Sequence, residues 1–208
     1  MFEAVILAGG FGTRLKSLSG DLPKVMMPFR DEPFLYFIMR NLESQGCKRI
    51  VLSLHYQAGL IEKRIAEDQP VGCEVIFVVE PEPLGTGGAL KLACRKVRGD
   101  RFVAVNGDTF STLQYKDLIE FGYSCDLAMA GIMVADVSRY GAIKLDQSMA
   151  VLEFGEKNCS GPGLINAGVY IIKTRDLLSY QKERFSLETE FLKDYNGDLR
   201  VLVSQSNF

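Results

Sequence analysis

The residues best suited to chemistry gather near the start of the chain. Leu7-Ala8-Gly9-Gly10-Phe11-Gly12-Thr13-Arg14-Leu15 follows an apolar stretch, and Lys24 stands ten positions after Arg14, directly behind Pro23. Glycines let backbone N–H groups approach a polyphosphate and tolerate positive φ. Arg14 adds a permanent charge with a planar fork of donors. Lys24 adds a point charge whose direction the rigid Pro23 helps to set. Together these residues describe a polyphosphate cradle, although a glycine run alone equally suits a structural turn. Two common phosphate loops are excluded. No Lys follows at the spacing of a Walker loop, and Gly10-x-Gly12-x-x leads to Leu15 where a dinucleotide fingerprint needs glycine.

Further along, Glu80 closes an apolar run and Asn106-Gly107-Asp108 closes another. A carboxylate can accept the adjacent N1–H and N2–H₂ of guanine as a fork, whereas uracil and thymine would set a carbonyl against it. Asp108, a hard oxygen ligand, suits Mg²⁺ bridging substrate phosphates, although Asn-Gly-Asp is also a strong turn signal. His55, the one histidine, reads as structural or as a peripheral contact. Ser186-Leu187-Glu188 reads as a helix-capping start and is set aside from the site.

These residues need a frame that brings distant positions together. Phe2 to Ala8, Ile50 to Leu54, Glu74 to Val79 and Phe102 to Val105 read as buried strands. Gly9 to Pro28 reads as a long loop, and Pro33 opens a helix that Gly46 stops. Leu60, Ile61 and Ile65 mark a second helix. Pro81 to Gly88 reads as a turn-rich connection before a third, carried by Ala89, Leu90, Ala93, Cys94 and Val97. The alternation predicts a parallel sheet with helices on both faces. After about Asp126 the texture turns β-rich. Leu127 to Val134, Ala142 to Leu145, Val151 to Phe154 and Leu164 to Ile172 are strand-like with few helices between them, a substrate-facing extension of the sheet. The expectation is one domain over 1–208 in two halves, 1–125 and 126–208.

Composition narrows the partners. The chain has 208 residues, 47% hydrophobic and 24% charged, as a soluble globular protein does. Lys+Arg 24 against Asp+Glu 26 gives a net charge of -2, without the basic excess of a nucleic-acid binder. No apolar run reaches the ~20 residues of a membrane span. Glu3 interrupts the first apolar stretch and no cationic segment precedes it, so no signal peptide is expected. Five scattered cysteines, with no zinc-ligand or redox spacing, suggest reduced thiols in a cytoplasmic protein.

With Leu7 to Leu15 and Leu22 to Lys24, the sequence resembles the sugar-1-phosphate nucleotidyltransferase family. Glu80 to Ala89, Asn106-Gly107-Asp108, Glu156-Lys157 and Asn166-Ala167-Gly168-Val169-Tyr170 extend the match over essentially the whole chain. Phe11 to Ser17 and Pro83 to Ala89 resemble most the members that guanylylate D-glycero-D-manno-heptose 1-phosphate for capsule or lipopolysaccharide synthesis. The resemblance implies a Rossmann-like three-layer α/β sandwich with a mostly parallel central sheet and a β-rich sugar-binding extension, the half 1–125 being nucleotide-binding and the half 126–208 sugar-phosphate-binding. It implies nucleotidyl transfer from a nucleoside triphosphate, GTP being favoured, to a sugar 1-phosphate. Alternatives are UTP, dTTP or CTP with a hexose 1-phosphate, or a non-catalytic regulatory subunit on the same scaffold. Arg14, Lys24 and Asp108 would be catalytic, and Asp108 would hold Mg²⁺. Leu7, Ala8, Gly9, Gly10, Gly12, Thr13, Arg14, Glu80, Gly85, Thr86, Asn106 and Gly107 would bind the nucleotide. Gly141, Glu156 and Asn166 would meet the sugar, and Lys157 its phosphate. A homo-oligomer is compatible with this reading. The family takes a second metal-ligand Asp from a later strand, expected to begin near Phe208, and neither Asp194 nor Asp198 lies in the matching pattern.

Overall fold

The computed structural model describes residues 1–10, 22–155 and 160–204. Strand β1 (Phe2–Leu7) lies inside a seven-stranded sheet, and Ala4, Val5 and Ile6 are wholly buried. Burial on both faces explains why it reads as a continuous apolar run. The short pairing β2 (Pro28–Phe29) with β3 (Glu32–Pro33) leads into helix α1 (Phe34–Ser44). Pro33 precedes the first turn of α1, and Gly46, at φ +98, ends the helix. Strand β4 (Cys47–Leu54) starts three residues earlier than the apolar pattern predicts, because Arg49 pairs with Glu3 and Glu74 of its neighbours.

Helix α2 (Ala58–Asp68), strand β5 (Glu74–Val79), helix α3 (Gly85–Cys94), strand β6 (Arg101–Asn106) and helix α4 (Tyr115–Gly122) follow. Two of these correct the sequence reading. Helix α3 begins inside the segment expected to be a turn-rich connection. Helix α4 has no counterpart in the reading, although Tyr115, Leu118 and Gly122 recur at helical spacing and are buried.

The second half supplies β7 (Leu127–Val134), β8 (Ile143–Leu145), β9 (Val151–Phe154), β10 (Gly163–Lys173), helix α5 (Thr174–Ser179), a π-helical turn at Leu187–Phe191 and β11 (Leu199–Ser204). The sheet order is β11-β7-β10-β6-β1-β4-β5. Every neighbouring pair is parallel except those of β10, which runs antiparallel to β6 and β7. Strands β8 and β9 form a separate hairpin, tied to the main sheet by bridges at Ala142–Ile165 and Ala150–Arg200.

Alternate residues of the central strands serve two cores, so the molecule has three layers. Ala4, Ile6, Val103 and Val105 pack under α1, α2 and α4. Val5, Phe102 and Ala104 pack under α3, α5 and the π-helical turn. No described helix is long and apolar enough to cross a membrane. The described cysteines are free, and burial pushes the Cys47 thiol up to about 12 and the Cys94 thiol up to about 11.

Candidate active site

Parallel strands bring their carboxyl ends to one edge, where open α/β sheets bind ligands. Leu7 of β1 is in register with Ser53 of β4 and Asn106 of β6. The chain beyond each end is fixed by its neighbour. Ala8 N–H donates to the Ser53 carbonyl at 2.8 Å, Gly107 N–H to the Leu7 carbonyl at 2.9 Å, and Glu80 N–H to the Leu54 carbonyl at 2.8 Å. A Cβ on Gly107 would lie 2.4 Å from the Leu7 oxygen, so glycine alone fits there.

A cavity of about 340 Å³ opens at this edge. Leu7, Gly9, Gly10, Lys24, Glu80, Gly85, Thr86, Asn106, Gly107 and Asp108 line it, ten of the residues singled out above. Val25, His55, Pro83 and Ala89 complete the wall. Val25 and Ala89 are ordinary apolar residues with no chemical signature in the sequence. Ala8 is buried just behind the cavity. Gly12, Thr13, Arg14, Glu156 and Lys157 lie outside the described residues.

Lys24 opens a single 3₁₀ turn (Lys24–Met26), and its ammonium meets Asp108 Oδ2 at 2.7 Å. Both side chains stay partly exposed, at 39% and 47%. Glu80 is only 7% exposed. Its Oε2 accepts the Leu84 N–H at 3.0 Å, and its Oε1 faces Gly9, where a Cβ would approach to 2.8 Å. Burial raises the Glu80 carboxyl above its ordinary value, while the Leu84 amide and His55 pull it back. His55 Nδ1 lies 3.1 Å from the Glu80 carbonyl oxygen, a peripheral post at the cavity wall. A carboxylate has about four acceptor positions, so Glu80 retains capacity for a fork of donors. Asn106 lines the cavity, and its buried Oδ1 has no hydrogen-bond partner among the described residues.

The segment set aside in the sequence reading belongs beside this cavity. Thr86 Oγ1 donates to Glu188 Oε2 at 3.0 Å and accepts the Leu187 N–H at 2.8 Å. The Phe185 carbonyl accepts N–H donors from Gly87 at 3.0 Å and Gly88 at 3.2 Å, capping α3 from about a hundred residues away along the chain. Ser186 does cap the π-helical turn, its Oγ accepting the Thr189 N–H. Asn166 does not line the cavity. Its Nδ2 donates to the Tyr170 hydroxyl at 2.7 Å and its Oδ1 accepts the Gly168 N–H at 2.8 Å, which shapes a register shift in β10. Gly141 lies against Gly155, where a Cβ would come within 2.6 Å of the Gly155 oxygen.

The chemistry of the donor set can be tested against Mg²⁺. No group of three or more ligating side chains exists among the described residues. Mg²⁺ does not require one, because it is usually held by one or two carboxylates plus substrate phosphates and waters. The partly exposed Asp108 fits that role. Asp194 and Asp198 do not. Asp198 pairs with Arg200 at 2.9 Å at the start of β11, the opposite end of the sheet.

Known proteins are similar to this chain in sequence and fold. The family described as nucleotidyl transferase matches residues 3–199. A D-glycero-alpha-D-manno-heptose 1-phosphate guanylyltransferase of Campylobacter jejuni is 39% identical over 96% of this chain and 88% of its own length. One from Aneurinibacillus thermoaerophilus is 37% identical over 92% and 84%. Two crystal structures of HddC from Yersinia pseudotuberculosis, one complexed with GMP-PN, match at 44% identity with TM-scores of 0.93 and 0.92, covering 100% of this chain and 92% of theirs. With a cavity at the carboxyl edge of the sheet and a match along nearly its whole length, this chain belongs to the nucleotidyl transferase family.

Proposed function

We propose that this chain joins GTP to D-glycero-D-manno-heptose 1-phosphate, giving GDP-heptose and pyrophosphate. The observation that carries the reading is the convergence of Lys24, Glu80 and Asp108 from three separate elements on one cavity at the strand ends. The names of the relatives support the choice of base and sugar. In the cell, the reading places the enzyme in the cytoplasm, supplying capsule or lipopolysaccharide synthesis.

The sugar 1-phosphate oxygen attacks the α-phosphorus of GTP, and pyrophosphate leaves in line. That oxygen is already anionic at neutral pH, so no general base is needed. Catalysis is then positioning plus charge stabilisation. Backbone amides of the loop from Gly9 onward, with Gly12, Thr13 and Arg14, hold the departing pyrophosphate, while Leu7 and Ala8, tied into the sheet, form the wall behind it. Lys24 neutralises charge growing at the α-phosphoryl group. Asp108 holds Mg²⁺, which when bound supplies further neutralisation of the phosphates. Glu80 accepts N1–H and N2–H₂ of guanine. Lys157 aligns the nucleophile, while Gly141, Glu156 and Asn166 shape the sugar pocket.

A grid of triphosphates against sugar 1-phosphates, read as pyrophosphate release, tests the reaction. Turnover should be greatest with GTP and the heptose 1-phosphate. Preference for UTP, dTTP or CTP with a hexose 1-phosphate would move the chain to that branch, and no release with any pair would leave a binding protein. Glu80→Gln should narrow the preference for GTP over UTP about tenfold or more, since one fork acceptor becomes a donor. An unchanged ratio of kcat/KM values would place base recognition elsewhere.

The pH dependence has a definite sign. Glu80 must be ionised to accept both guanine donors, and burial raises its pKa. GTP affinity should therefore fall as pH drops through a window above that of an ordinary glutamate. The same shift means that Glu80 favours the folded state at low pH, and that this contribution is lost as pH rises through the folded-state pKa. Titration calorimetry across that range should show the loss of affinity in the wild type and a flat profile in Glu80→Gln. A flat wild-type profile would remove Glu80 from base reading.

A further inference from the structure

We propose that Lys24 is a stand-in cation: it covers Asp108 until a triphosphate draws it away, so that the divalent ion meets a free carboxylate only when nucleotide is present. The idea rests on the nucleotidyl-transfer reading and adds a binding order to it.

The ammonium of Lys24 sits 2.7 Å from Asp108 Oδ2, although 84 residues separate the two. Lys24 is the only charged partner of Asp108 among the described residues. Both backbones are held. Pro23 enters the 3₁₀ turn at φ -57 and ψ 141, and Met26 N–H donates to its carbonyl at 2.8 Å. On the other side, Gly107 N–H is fixed to Leu7, and Thr109 N–H donates to the Asn106 carbonyl at 3.2 Å. The side chains are the movable parts. At 39% and 47% exposure they form a pair that costs little to break.

An ammonium against Asp108 opposes a divalent ion there in two ways. It occupies the carboxylate oxygen, and it repels the incoming charge. A triphosphate carries several negative charges and outcompetes one carboxylate for a flexible point charge. Lys24 then moves onto phosphate and Asp108 is freed. Glu80, the other carboxylate lining the cavity, cannot substitute, because it is buried and tied to the Leu84 amide. By linkage, a contact that suppresses ion binding in the empty protein raises the cooperativity between ion and nucleotide.

The test measures Mn²⁺ binding to nucleotide-free protein by electron paramagnetic resonance, with no turnover involved. The wild type should bind weakly. Lys24→Met should bind about two- to fivefold tighter, the range that an exposed ion pair can contribute. The double variant Lys24→Met/Asp108→Asn should lose the gain. Circular dichroism melts check that each variant is folded. Equal Mn²⁺ affinity in wild type and Lys24→Met, or a gain that persists in the double variant, would overturn the proposal. GTP binding to the wild type is measured alongside, both in EDTA and with Mg²⁺. Binding without the Mn²⁺ effect removes the stand-in role alone, whereas no GTP binding in either condition removes the nucleotidyl-transfer reading beneath it.

Discussion

Asp108→Asn is expected to lower kcat by about 10²–10³-fold, the loss typical when one preorganised charge at a reacting phosphate or oxyanion is removed. The substitution keeps the shape of the side chain and one carbonyl oxygen but deletes the charge. Structural damage is a poor rival explanation. Asp108 is half exposed, and its one charged partner among the described residues is Lys24. Breaking such a pair costs at most about 1 kcal/mol. For a chain of 208 residues that corresponds to a shift in Tm of about 2–4 °C or less. Lys24→Ala should produce a loss in kcat of similar size with the same small thermal shift. The double variant should fall short of the product of the two losses, because both residues act on one group of phosphates. Steady-state kinetics with pyrophosphate detection, beside a melting curve, decides the matter. Near-normal turnover in a folded Asp108→Asn protein would take this carboxylate out of the mechanism.

How far residues alone lead can be judged element by element. The cavity floor is legible because its signals are local: Gly9-Gly10 after a strand, Gly107 between Asn106 and Asp108, and Lys24 behind Pro23. Strand periodicity then carries these loops to one edge, since β1, β4, β5 and β6 all point the same way. The reversed direction of β10 is not legible, because an apolar run such as Leu164 to Ile172 is the same whether its neighbours are parallel or antiparallel. The start of α3 is hidden for another reason. Gly85-Thr86-Gly87-Gly88 has poor intrinsic helix propensity, and its cap is the carbonyl of Phe185, which no local window contains. The Thr86–Glu188 contact is missed in the same way, being 102 positions apart. Asn166 is a case of type without placement. Its amide suits a sugar hydroxyl, and in the fold each polar atom makes one bond at the bend in β10, to Tyr170 and to the Gly168 N–H, which leaves a second N–H and a second lone pair.

That distant cap makes Gly87→Ala the second substitution with a large expected effect, here on stability. In an open helix the change would help, because alanine is favoured over glycine by up to about 1 kcal/mol. At position 87 a Cβ would lie 2.2 and 2.3 Å from Cε2 and Cδ2 of the Phe185 ring and 3.1 Å from the Leu187 nitrogen. The ring has little freedom to yield. Phe185 is 2% exposed, with the ring of Tyr180 at 4.5 Å and that of Phe191 at 6.3 Å. Its carbonyl is also bound to Gly87 and Gly88. Overpacking of this kind costs about 1–3 kcal/mol, which exceeds the gain in propensity. The melting temperature should therefore fall by about 2–10 °C for a chain of this length. Because the displaced segment carries Leu187 and Glu188 away from Thr86, KM for the triphosphate should rise more than kcat falls. Gly59 supplies the control. It stands in α2, exposed, and a Cβ added there would meet nothing within 4 Å, so Gly59→Ala should hold or raise the melting temperature. If Gly87→Ala instead melts at or above the wild type, the Phe185 segment does not clamp the helix, and the route by which the second half of the chain steadies the nucleotide cavity must be sought elsewhere.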